Sequence, residues 1–209
     1  MRRNIATIAT VAVALMAAPV LAEGAHKLRQ YQVSTDMHTP NEASFTSKAA
    51  IVKFTGRTSK VTGTLQIDET NTTKASGAIT VDVASLDTGI GLRNEHMQGT
   101  IEAKKYPTAT FKLQKLSVPG NKLKANAITT GTVTGQMTLH GVTRTITAPV
   151  ELTYLPQQDP NYRPGDWVEV NSSFKLKLSD YKIALPAPVL GVKVADELDI
   201  NFTSMAKAL

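Results

Sequence analysis

The sequence predicts an all-β fold of antiparallel strands. Three observations carry this expectation: apolar residues alternate with polar ones at period two through most of the chain, turn residues punctuate these runs, and only one short stretch reads as helix. Alternation with a polar face marks half-buried strands, because successive side chains point to opposite faces of a sheet.

The elements follow in order. Ile79, Val81 and Val83 alternate with Thr80, Asp82 and Ala84. Val133, Gly135, Met137 and Leu139 alternate with Thr132, Thr134, Gln136 and Thr138. Ile146, Ala148, Val150 and Leu152 share a face opposite Thr145, Thr147 and Glu151. Pro149 interrupts this last run, and because it cannot donate to a ladder it belongs at a strand edge or irregularity. Val168, Val170, Ser172, Phe174, Leu176 and Leu178 form a longer run with Lys175 and Lys177 on the other face, and Leu198, Ile200 and Phe202 close the pattern. Threonine dominates the outward faces, as expected of a polar β-branched residue. His140-Gly141 reads as a tight hairpin. Asp68 to Ser76 reads as a polar loop, Pro119-Gly120-Asn121 as a break, and Leu155 to Asp166 as a proline-rich connection. The helical piece is Leu92 to Ala103. Eight or nine strands in one domain leave a sandwich or a closed barrel. A barrel of about eight strands encloses room for side chains or one small ligand.

The N-terminus has a separate character. Arg2 and Arg3 precede an apolar run from Ile5 to Ala18, and Pro19-Val20-Leu21-Ala22 supplies small residues before Glu23. This is the pattern of a cleaved secretory signal peptide over residues 1–22. A retained anchor is the alternative, but the run falls short of the ~20 apolar residues that span a bilayer. The expected location is therefore periplasmic or secreted, with residues 23–209 as a single domain. Removing residues 1–22 takes away Arg2 and Arg3 and lowers the net charge from +6 to about +4. That mild basicity has no charged block, and aromatic residues are only 5 % of the chain, which argues against a nucleic-acid-stacking surface. The absence of cysteine removes a disulfide framework, a lipidated cysteine and a thiol nucleophile.

The segment "SLDTGIGLRNEHMQGTIEAKKYPTATF" resembles the YceI-like family of lipid- and polyisoprenoid-binding proteins, through Ser85, Thr88, Arg93, Asn94, His96, Tyr106, Pro107 and Phe111. "GTVTGQMTLHGVTRTITAPV" resembles the family's His-Gly-Val-Thr hairpin, with Met137 where leucine is usual. "ASFTSKAAIVKFTGRTSKVTG" is similar to its first hairpin, with Phe45, Ser47, Phe54, Gly56 and Gly63. "FKLKLSDYKI" and "VADELDINF" also fit, so the likeness spans roughly residues 28 to 204. The opening "YQVSTDMHTPNEASF" departs from it, being longer and more polar. The resemblance implies a lipocalin-like eight-stranded antiparallel β-barrel with a short helical segment. It also implies an apolar cavity for a polyisoprenoid, an isoprenoid quinone or a fatty-acid-like lipid, with no enzyme activity and no obligatory cofactor.

The expected ligand-binding residues are Phe45, Phe54, Leu65, Val81, Val83, Thr88, Arg93, His96, Phe111, Leu113, Met137 and Phe174. The apolar members equally suit a filled core, and only the resemblance turns some of them toward a cavity. Arg93 has a guanidinium suited to a phosphate, although a pair with Glu95, Asp87 or Glu102 is the simpler reading. His96 either meets a head group or fixes the segment after Thr88 by a structural hydrogen bond, and the second is simpler. His140, Asp180 and Tyr181 read as turn residues. His26, His38, His96 and His140 show no metal-binding spacing. There is no Gly-x-Ser-x-Gly elbow and no phosphate loop. The expected partner is a long-chain lipid, with no nucleic acid and with transient membrane contact allowed. Two other functions remain open: a filled barrel that contacts proteins through its loops, and a hydrolase on the same fold.

Overall fold

The computed structural model describes residues 27–209 apart from 37, 158, 159 and 162, so the expected signal peptide and His26 lie outside the described residues. The strands are β1 (Arg29–Val33), β2 (Glu42–Lys48), β3 (Lys53–Thr58), β4 (Val61–Ile67), β5 (Ser76–Asp82), β6 (Thr108–Ser117), β7 (Ile128–Leu139), β8 (Val142–Leu155), β9 (Trp167–Lys177) and β10 (Glu197–Ala208), with helix α1 at Gly91–Thr100 between β5 and β6. All neighbours are antiparallel.

The ten segments make an eight-walled closed barrel. β10 pairs along one edge with both β1 (Tyr31 opposite Ala208) and β2 (Ile200 opposite Phe45). β1 and β2 are thus two halves of one broken wall. β4 and β3 pair with them in turn and form a second broken wall. The remaining walls run β5, β6, β7, β8, β9, β10, and the β1–β10 pairing closes the circle. That closure selects the barrel over the sandwich. The break between β1 and β2 is held by Asn41, whose Oδ1 accepts from the Ser204 hydroxyl at 3.0 Å and the Met205 N–H at 2.9 Å.

Two strands extend beyond the expected pattern. β1 lay in the segment that reads as polar, yet Tyr31 and Val33 are almost fully buried. β10 continues past Phe202, with Ser204 and Ala206 facing inward. Small or polar inward residues at a strand end leave no hydrophobic alternation to read. Val83 is a correction in the other direction: β5 ends at Asp82, residues Val83–Ser85 form a 3₁₀ turn, and the Val83 N–H donates to the Pro107 carbonyl at 2.9 Å.

The His140-Gly141 hairpin forms as expected, with φ of 51° and 72°. Two successive positive φ values match the turn to the right-handed twist of the strands. Pro149 sits where β8 parts from β9. Their ladder runs only from Leu155 opposite Trp167 to Glu151 opposite Asn171, and the Ser172 hydroxyl donates to the Pro149 carbonyl at 2.7 Å. Beyond that point residues 142–150 and 172–177 are not paired to each other.

Candidate functional site

Within the barrel lies a cavity of about 150 Å³. It is apolar because the strands turn mostly apolar side chains toward it. Leu65 and Ile67 come from β4, Ile79 and Val81 from β5, and Val133 and Met137 from β7. Ile146, Ala148, Val150 and Leu152 come from β8, Val170 and Phe174 from β9, and Ile200 and Phe202 from β10. Among the described residues, Thr110 and Ser172 are the lining side chains with a nitrogen or oxygen atom. In β6 the register shifts between Leu113 and Lys115, so Leu113 and Leu116 both face inward although they are three residues apart. A one-residue bulge of this kind re-aims the side chains that follow it. Phe111 lies across Gly135, where an added Cβ would come within 2.6 Å of its ring. The cross-strand glycine thus makes room for the ring.

One end of the barrel is packed with Leu176, Leu178, Tyr181, Ile183 and Leu198, against which Phe45, Ile101, Leu139, Leu185 and Val194 pack as a plug. Half of this plug (Leu178, Tyr181, Ile183, Leu185 and Val194) comes from the chain between β9 and β10. His140 fastens it: Nδ1 is 3.1 Å from the Tyr181 carbonyl, Nε2 is 2.7 Å from Glu102 Oε2, and the ring packs edge-on at 4.7 Å from that of Tyr106. The Arg144 guanidinium donates to the Asp180 carbonyl, so the 3₁₀ turn Ser179–Tyr181 bridges the gap where β8 and β9 part. Asp196 holds the start of the same segment by accepting from the Ser179 N–H at 2.8 Å and its hydroxyl at 2.7 Å.

The opposite end carries a part-buried polar cluster. The Tyr31 hydroxyl donates to Glu69, Arg29 pairs with Asp166, and the Tyr154 hydroxyl donates to Asp166 at 2.9 Å. Burial raises the Tyr31 phenol well above its ordinary value, and the hydrogen bond to Glu69 adds to the rise. Burial by itself would raise the Asp166 carboxyl. The Gln157 N–H, the Tyr154 hydroxyl and Arg29 outweigh it and hold the group below the ordinary value.

The expected site residues divide into two groups. Leu65, Val81, Phe111, Leu113, Met137 and Phe174 come together around the cavity. Phe45, Phe54, Val83, Thr88, Arg93 and His96 do not line it. Phe45 and Phe54 pack edge-to-face at 5.8 Å near the plug, with the Phe45 ring over Gly56. Arg93 forms no ion pair with Glu95, Asp87 or Glu102 among the described residues; its guanidinium lies over the Phe54 ring at 4.7 Å. The two best-placed carboxylates are engaged elsewhere, Glu102 by His140 and Asp87 by Asn94 and the Gly89 N–H. Those two contacts hold the Asp87 carboxyl below its ordinary value. His96 is exposed on α1, and the segment after Thr88 is fixed instead by Asn94. Asn94 Oδ1 accepts from the Thr88 N–H at 2.9 Å and the Thr88 hydroxyl at 2.7 Å. The Arg-Asn-x-His stretch contained that residue, but no spacing rule distinguished it from its neighbours.

The histidine–carboxylate pairs among the described residues are the exposed His38–Asp36 and the structural His140–Glu102. No group of three or more His, Cys, Asp or Glu among the described residues is placed to hold a metal ion.

Comparison with known proteins gives a consistent result. A family model described as the YceI-like domain matches residues 31–206. The UPF0312 protein VPA0850 of Vibrio parahaemolyticus is 32 % identical over 155 residues, which cover 73 % of this chain and 74 % of that protein. Protein YceI of Escherichia coli O157:H7 is 29 % identical over 123 residues, 58 % of this chain and 59 % of its own. Among solved structures, Burkholderia cenocepacia BcnA superposes with a TM-score of 0.65 at 27 % identity, covering 80 % of this chain and 96 % of BcnA. A polyisoprenoid-binding domain from Saccharophagus degradans gives 0.63 at 18 % identity, covering 88 % and 100 %, and shares the barrel fold.

Proposed function

Because this chain belongs to the YceI-like family, we propose that it is a non-enzymatic carrier of a long-chain amphiphile. It is exported through the signal at residues 1–22 and works in the periplasm. A single observation carries the reading: the barrel holds a cavity whose lining is apolar apart from Thr110 and Ser172. Such a site recognises a hydrocarbon by excluding water, since it has almost nothing to offer a polar group. The name of the Saccharophagus degradans neighbour, a polyisoprenoid-binding domain, points to the isoprenoid class. Isoprenoid quinones and fatty-acid-like lipids share the same tail chemistry.

The energetics suit a carrier. Each ~100 Å² of tail removed from water contributes about 2.5 kcal/mol, and ordering the tail returns part of that. A membrane buries the same tail equally well. The net preference between barrel and bilayer is then small, which permits both loading and release.

Native mass spectrometry tests the reading on residues 23–209, exported and purified without detergent. The expected outcome is a discrete added mass of a few hundred daltons that is lost on denaturation. The Val133→Phe variant, which fills the cavity from β7, loses the adduct and keeps the far-ultraviolet spectrum of a barrel. A bare wild-type protein that stays bare after incubation with isoprenoid quinones and polyprenols rejects the carrier and leaves a filled barrel that acts through its loops.

A further inference from the structure

Between β8 and β9 the side wall of the barrel loses its ladder, and the cavity reaches that seam. The strands pair only from Leu155–Trp167 to Glu151–Asn171. Past that point Ile146 and Ala148 of β8 and Ser172 and Phe174 of β9 all line the cavity. The seam is framed at both ends. Near the ladder the Ser172 hydroxyl donates to the Pro149 carbonyl at 2.7 Å, and near the plug the Arg144 guanidinium donates to the Asp180 carbonyl. About four residues of each strand, or ~13 Å, lie between these contacts. Along the barrel axis the interior is filled, on one side by the plug and on the other by Tyr31, Val33, Val61 and Val168, none more than 2 % exposed.

The seam also holds backbone groups that no ladder takes up. The His140-Gly141 hairpin closes on the Leu139–Val142 pair, so the even-numbered residues of β8 from Val142 to Ala148 turn their N–H and C=O groups to β7. Those of Thr145 and Thr147 therefore point across the seam. The same alternation makes Glu151–Asn171 a bonded pair, so Ser173 and Lys175 continue its row on β9. Pro149 belongs to the row of Thr145 and Thr147 and has no N–H to give, which stops the ladder at that point. Charge around the seam is nearly balanced. Arg144 lies 3.8 Å from Asp180, and Glu197 bonds Lys175 and stands opposite Lys177 in the β9–β10 register.

We propose that this seam is the side mouth of the cavity and the head-group site of the amphiphile. The tail passes between β8 and β9 into the barrel, and an uncharged head that both donates and accepts hydrogen bonds, such as an alcohol, stays between Thr145, Thr147, Ser173 and Lys175. The apolar lining offers such a head almost no partner, whereas the two strand edges offer rows of donors and acceptors. A head seated there satisfies polar backbone groups that the tail would otherwise shield from water. A charged head fits less well, because the cations at the margins are matched by Asp180 and Glu197 and do not repay its loss of water. A peptide strand is the other ligand that free edges accept. The seam is shorter than the usual strand of five or six residues, it is tied across at both ends, and its floor is an apolar cavity that suits a hydrocarbon chain. The seam has this use only if the carrier reading holds, so the test separates the two.

The test uses residues 23–209, whose barrel is complete from β1 to β10, with all-trans-geranylgeraniol as the probe. Native mass spectrometry detects the bound probe, and hydrogen exchange read amide by amide locates it. The expected result is an adduct of one molecule that slows exchange of the Thr145, Thr147, Ser173 and Lys175 amides at least tenfold. Geranylgeranyl diphosphate, which has the same tail, binds at least tenfold more weakly. Pro149→Val returns a donor to the row and extends the ladder; it keeps the far-ultraviolet spectrum of a barrel and loads the alcohol at least tenfold more slowly. A protein that takes up no probe ends the carrier reading and the mouth with it. An adduct that leaves the four amides as fast as before keeps the carrier and overturns the mouth. A diphosphate that binds as tightly as the alcohol, a Pro149→Val protein that loads at the wild-type rate, or a copurifying mass that proves to be a peptide also overturns the proposal.

Discussion

Tyr31 shows how much one side chain does in this barrel. It is fully buried, faces inward on the closing strand β1, and donates its hydroxyl to Glu69. Its pKa is raised above the ordinary 10.0, first by burial and then by that hydrogen bond. A group raised in the folded state contributes stability that is complete below its unfolded pKa and is lost as the pH climbs toward the folded one. Stability is therefore expected to fall progressively above about pH 10, and Tyr31→Phe is expected to flatten that fall. The same substitution costs about 2 kcal/mol at neutral pH, as a hydrogen bond to a charged acceptor is lost. Urea unfolding of the two proteins at pH 7.5 and pH 11 checks both effects; parallel pH profiles would reject the assignment. Asp166 works in the opposite sense. Its folded pKa is lowered, so its contribution is present above the unfolded value and is lost on acidification.

At the scale of elements, the parting of β8 and β9 is the most distinctive feature. Antiparallel strands send alternate N–H groups to opposite neighbours. In residues 142–150 half of the amides thus face β7 and half face the gap, and in residues 172–177 half face β10. Hydrogen exchange should resolve this as alternation: every second amide in these two stretches exchanges fast, whereas the β8–β9 ladder from Glu151 to Leu155 is protected throughout. Uniform protection across 172–177 would mean that the strands are paired there. Pro149 made this irregularity legible in the sequence. So did the alternation of β5, β7 and β9, which is why Val81, Met137 and Phe174 were placed on the inner face and line the cavity. The plug was not legible. Leu178 ends a periodic run, but Tyr181, Ile183 and Val194 belong to none, and they become a cluster only when the chain between β9 and β10 folds over the barrel end. Arg93 departs from its expected ion pair for a related reason. Short sequence spacing offers it three carboxylates, but His140 engages Glu102, Asn94 and Gly89 engage Asp87, and the fold brings Phe54 beneath the guanidinium.

The whole molecule poses a question of size. A cavity of about 150 Å³ matches one that, in an engineered apolar core, stays dry and accepts a benzene-sized guest. A long isoprenoid tail exceeds that volume, so a carrier must widen. Close-packed walls resist stretching, and a closed ladder cannot open without losing its hydrogen bonds. Two parts can yield without breaking a ladder: the parting of β8 and β9, whose unpaired stretches carry Ile146, Ala148, Ser172 and Phe174 of the lining, and the plug, which is held by His140, Arg144 and Asp196 and by the backbone bonds from Ala50 and Ile51 to Gly191 and Val192. With a head group seated in the parting, ligand binding is expected to stabilise the molecule as a whole while loosening the plug. At a free ligand concentration of about 100 Kd the gain is roughly 2.7 kcal/mol, which for a domain of this size raises Tm by roughly 5–10 °C. In the same sample, hydrogen exchange of residues 178–196 should accelerate while that of β7 is unchanged or slowed. A rise in Tm with the plug equally protected would show that the tail is accommodated by side-chain repacking or at the β8–β9 parting rather than at the plug. A Val133→Phe protein whose Tm rises as much as the wild type would place the ligand outside the barrel.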